Sequence, residues 1–87
     1  MNHRHRKVLH AIFAHPVSSN IDFKEALHML TELGAKIDNK SGNRVGVALN
    51  GHTAAFTHAH HTVPREEVIQ IKKFLEQCGI ELSKYAL

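Results

Sequence analysis

The stretch RVGVALNGHTAAFT, residues 44–57, decides the fold. Val45, Val47 and Leu49 alternate with Gly46 and Ala48, Asn50-Gly51 intervenes, and an extended pattern resumes at His52 and runs toward Ala59. Alternation with a period of two marks a half-buried strand. Asn-Gly is the favoured pair for a two-residue type I′ turn, because both of its central residues take positive φ. A hairpin is therefore expected. Its turn sets the register: Leu49 opposite His52, Val47 opposite Ala54, Val45 opposite Phe56, all six on one side of the sheet. The other side then carries Arg44, Gly46, Ala48, Thr53, Ala55 and Thr57.

Upstream, residues 39–43 are rich in Asn, Ser and Gly and read as a turn, preceded by a short strand at residues 35–38. Before that, Asp22 with Glu25 three positions later forms a capping-box-like start. The helix it opens carries Phe23, Ala26, Leu27, Leu30 and Leu33, with Gly34 as its left-handed stop. Residues 18–21 read as a polar link. Val8, Leu9, Ile12 and Phe13 form the stripe of a shorter first helix, which Pro16 should end.

Downstream, a last helix is expected from near Pro64, with Glu66 and Glu67 complementing its dipole. Val68, Ile71, Phe74, Leu75 and Cys78 form its apolar stripe, and Gly79 closes it. Residues 81–87 are a short extension whose Tyr85 and Leu87 are available to dock. The expected order is α-α-β-β-β-α: an α+β domain with a three-stranded antiparallel sheet flanked by helices.

Length and composition agree with that reading. At 87 residues, the chain suits one domain with a modest core. No apolar run approaches the roughly 20 residues of a membrane helix, and the basic start lacks a secretory pattern. Cys78 is the sole cysteine, so no intrachain disulfide forms; a cytoplasmic location is expected. The net charge of +3 permits a polyanionic partner without requiring one. The nine histidines are more informative, since their free pKa of about 6.5 makes the charge depend on pH.

One resemblance carries the functional reading. A short helix is followed by a helix running into Leu33-Gly34-Ala35, then by Ser41-Gly42-Asn43-Arg44 and an extended pair. A histidine-containing exit, His58-Ala59-His60-His61, and a closing helix ending FLEQCGI complete the order. This order resembles the HicA family over roughly residues 6 to 80. The resemblance implies a double-stranded-RNA-binding-like fold and a ribosome-independent mRNA-cleaving toxin neutralised by a HicB-type antitoxin.

The family motif after the second helix is approximately Gly-Ser-His, with its histidine taken as catalytic. Here Gly42 and Asn43 match the first positions, and Arg44 stands where that histidine would be. The family's prolines around the exit histidines are also missing.

Metal-independent RNA cleavage needs a base for the 2′-hydroxyl proton, an acid for the leaving 5′-oxygen and a cation for the phosphorus-centred charge. Histidine suits the first two roles, and arginine, which stays protonated, suits the third. Arg44, His58 and His60 are therefore the candidate catalytic residues: Arg44 grips phosphate, and His58 or His60 moves protons. Alternation places His58 on the side of Phe56, whereas His60 lies beyond the strand. Lys40, Arg44, Arg65, Lys72 and Lys73 are the candidate RNA contacts. The four Phe all fall on apolar stripes, which speaks against base stacking.

Two other readings stay open. In one, the arginine has ended cleavage and left a non-catalytic RNA- or antitoxin-binding domain. In the other, the chain is a histidine-rich metal-binding module using His58, His60 and His61, with His52 as a further ligand. Against the latter, structural zinc takes four ligands and Cys78 falls on a buried stripe. No cofactor and no metal site are expected. His3 and His5 read as adventitious chelators at a flexible start, and His10, His15 and His28 as helix surface.

Overall fold

Asn2 opens the first helix by accepting the His5 N–H at 2.8 Å on its side-chain oxygen. That helix, α1, spans His3–Ile12 and seals Leu9 and Ile12 inside the molecule. It stops at the Phe13 cap, three residues before Pro16. The computed structural model describes residues 2–39, 42–57 and 61–87.

The second helix, α2, spans Phe23–Glu32 and begins as expected: Asp22 Oδ1 accepts the N–H groups of Lys24 at 2.8 Å and Glu25 at 3.3 Å. Only this half of a capping box is used, because the Glu25 carboxylate turns away to α1, where its Oε1 meets the Arg4 guanidinium at 2.6 Å. Gly34, with φ of 102°, ends the helix in the left-handed region that favours glycine.

Three strands follow: β1 (Lys36–Asn39), β2 (Arg44–Leu49) and β3 (His52–Thr57), in the antiparallel order β1-β2-β3. The hairpin register is the expected one, with Leu49 opposite His52, Val47 opposite Ala54 and Val45 opposite Phe56. Asn50 and Gly51 both have positive φ, 51° and 82°, as a type I′ turn demands. The continuation of β3 toward Ala59 lies outside the described residues.

The third helix, α3, spans Arg65–Gln77, with Pro64 at its cap and Val68, Ile71, Phe74 and Leu75 buried. Cys78 is buried just beyond it. The observed order α-α-β-β-β-α makes this an α+β fold. The helices cover the sheet face bearing Val45, Val47, Leu49 and Phe56, and their buried residues join these in one core. Among the described residues, the helices leave the opposite face uncovered. There Gly46, Ala48 and Ala55 floor a shallow trough rimmed by Lys36, Asp38 and Thr53.

Two segments are more ordered than the sequence suggests. Residues 18–21 do not form a purely polar link, because Ile21 is buried. Its carbonyl accepts the Val63 N–H at 2.8 Å, the Phe23 N–H donates to His61 O at 2.7 Å, and Asp22 bridges to Thr62. This pairing joins two segments 40 positions apart, a distance over which local patterns carry no information. The tail also docks: Leu82–Tyr85 forms a 3-10 turn, and the His10 ring hydrogen-bonds to the Tyr85 carbonyl at 2.9 Å. Leu87 remains exposed. Among the described residues, no helix is long and apolar enough to cross a membrane.

Candidate functional site

Arg44 opens β2 on the uncovered face of the sheet, exposed, with Thr57 as its cross-strand partner. The Thr57 N–H donates to Glu67 Oε1 at 2.6 Å. Glu67 lies in the first turn of α3, so this contact brings the start of that helix to the strand end that carries Arg44. The N-terminus of α2 meets His61, the first described residue after β3, through the Phe23 N–H. Each of these helix N-termini carries a partial positive charge. Asp22, Glu66 and Glu67 offset part of that potential.

Of the residues expected to contact RNA, Arg44 and Arg65 are exposed, at the first positions of β2 and α3. Lys40, His58 and His60 lie outside the described residues. Lys72 belongs to another part of the surface: it is half-buried, and its Nζ stands 3.2 Å from His15 Nε2 in the loop after α1. Lys73 is exposed and lines a shallow groove between α3 and β3 with Thr53, Ala55 and Gln70. Two turns of helix, about 10 Å, separate these lysines from Arg65.

No model of a known protein family, no curated protein and no solved structure matches this chain.

A second polar cluster joins α1 to α2, and the sequence reading did not single it out. His5 is not at a flexible start but within α1, with its side chain only 12% exposed. Its Nδ1 hydrogen-bonds to Glu32 Oε1, and its Nε2 faces Glu25 Oε2 at 3.3 Å. The His28 ring lies beside it, with centroids 5.9 Å apart. One potential ligand atom from each of His5, Glu25 and His28 falls within 4.8 Å of the others. The hydrogen bond from His5 holds the Glu32 carboxyl below the usual carboxylate range. Glu25 Oε2 is buried and accepts no hydrogen bond, although Oε1 of the same carboxylate is paired with Arg4.

Part of this cluster was visible in advance. Glu25, His28 and Glu32 are spaced i, i+3 and i+7, which places them on one helix face. The missing information was that α1 would lay His5 across that face. Cys78, the other potentially reactive group, is buried, its thiol pKa is raised by desolvation, and its Sγ lies 3.3 Å from Leu49 O.

Proposed function

We propose that this chain is a HicA-like RNA-binding toxin of a toxin–antitoxin pair, acting in the cytoplasm and neutralised by a HicB-like antitoxin. The observation that carries the reading is the linkage Arg44–Thr57–Glu67. It gathers a guanidinium and the start of α3, which carries Arg65, at one end of the hairpin. A planar guanidinium donates paired hydrogen bonds to phosphate oxygens, and helix N-termini add favourable potential for the same anion.

In the cleaving form of this reading, Arg44 steadies the charge on phosphorus, and His58 or His60 takes the 2′-hydroxyl proton and protonates the leaving 5′-oxygen. No metal takes part. The test is expression of the chain alone and with a HicB-like partner. Growth arrest relieved by the partner, with RNA decay that persists in EDTA and is lost in His60→Ala, supports cleavage.

A second reading has a specific observation in its favour. Arg44 occupies the position of the family's catalytic histidine and cannot act as a base, yet it stands exposed on an open sheet face where it can still bind. Salt-sensitive RNA binding without cleavage products would identify a non-catalytic RNA- or antitoxin-binding domain.

A further inference from the structure

His5 Nε2 and Glu25 Oε2 face each other at 3.3 Å where α1 crosses α2. The other ring nitrogen, Nδ1, is engaged by Glu32, and Glu25 Oε2 is buried with no hydrogen-bond partner. A buried carboxylate oxygen with no hydrogen-bond partner beside an imidazole nitrogen is a favourable place for a cation. Bonds of about 2.0–2.1 Å at a tetrahedral angle separate two ligand atoms by about 3.3–3.4 Å. The observed spacing fits two ligands on one zinc-like ion.

We propose that His5 Nε2, Glu25 Oε2 and a ring nitrogen of His28 form a binding site for one divalent transition cation of the zinc class, joining α1 to α2. Two imidazoles and one carboxylate suit zinc in softness and number and leave a fourth position for solvent. Glu32 acts from behind, holding the His5 ring in the tautomer and orientation that ligation needs, as carboxylates behind metal-bound histidines do. Glu25 and His28, at i and i+3 on α2, need no backbone movement to converge. His28 is exposed, so its ring is free to close the remaining distance. Arg4 is the opposing charge, but it pairs with the other oxygen of Glu25 and its side chain is 74% exposed, where solvent screens it.

This site uses none of the histidines at positions 58–61 and does not rest on the RNA reading. The test is calorimetric titration of the tag-free full chain with Zn2+, together with Co2+ titration followed by visible absorption. One ion per chain is expected, with the intense d–d bands of a low-coordinate cobalt site. His28→Ala alters an exposed side chain, leaves the fold intact by circular dichroism and weakens binding more than about tenfold. Glu32→Gln weakens it about tenfold by loosening the His5 ring. His3→Ala and the combined alanine variant of His58, His60 and His61 bind as the parent does. Absence of stoichiometric binding, binding unchanged in His28→Ala, or binding abolished in the combined hairpin-exit variant would each overturn the proposal.

Discussion

The side-chain amide of Asn50 donates a 2.8 Å hydrogen bond to the carbonyl oxygen of Cys78. The tip of the hairpin is thereby tied to the end of α3, and the Cys78 thiol donates in return to Leu49 O at 3.3 Å. Asn50 thus has two roles, since its φ of 51° also shapes the turn. Asn50→Gly keeps the turn and loses only the tie, at a cost of about 0.5–1.5 kcal/mol. Asn50→Ala adds a left-handed alanine and costs about 1–2 kcal/mol more. Urea denaturation of both variants separates the contributions. Equal losses would mean that the turn conformation contributes nothing.

Leu75 is completely buried, facing the sheet from α3. Leu75→Ala should destabilise the protein by about 2–5 kcal/mol, through lost transfer energy and the cavity left behind. Ile69→Ala, on the exposed side of the same helix, should change stability by less than about 0.5 kcal/mol. A similar loss in both would contradict the assigned face of α3.

Glu32 makes acid stability sensitive to a single exposed carboxyl. Its pKa is lower in the folded chain than in the unfolded one, chiefly through the hydrogen bond with His5. Its contribution is present above the ordinary carboxylate range and disappears as pH falls through the lowered folded value. The denaturation midpoints of the parent and Glu32→Gln should converge on acidification through that window. High salt should shrink the gap at every pH, because the group is exposed. A gap that widens toward acid would reverse the assigned sign.

Cys78 should react with a thiol reagent only when the chain opens. Burial removes access and raises the thiol pKa, so the nucleophilic thiolate is scarce at neutral pH. Modification by a disulfide reagent should be much slower in buffer than in denaturant, and the rate in buffer should rise in Leu75→Ala. Equal rates in buffer and denaturant would place the thiol at the surface.

RNA binding should distinguish the two basic regions. Arg44→Ala should weaken affinity and lower the slope of log K against log salt by about one, as removal of a phosphate contact does. Lys72→Ala should leave both unchanged, because Lys72 turns to His15 and the loop after α1. A larger effect from Lys72 than from Arg44 would move the interface to the opposite side of α3.

The legible features of this chain were those set by neighbours in sequence. The period-two alternation at 45–49, the Asn50-Gly51 turn and the Asp22 cap each act within a few residues. The same holds for the Val68–Ile71–Phe74–Leu75 stripe. Local sterics and local hydrogen bonding therefore specified the element order, the hairpin register and the face of α3 that is buried. Arg44 could be placed on the uncovered face for the same reason.

Tertiary packing decided the rest, because its contacts join positions whose separation encodes nothing locally. Glu25 satisfied the expected capping spacing, yet its carboxylate left the cap for Arg4 and His5 once α1 packed against α2. Residues 21–23 met 61–63 because each segment has backbone donors and acceptors that must be paired when Ile21 and Val63 are buried. Nothing within either segment names the other. His5, read from sequence as part of a loose basic start, acquired its carboxylate neighbours only when two helices crossed.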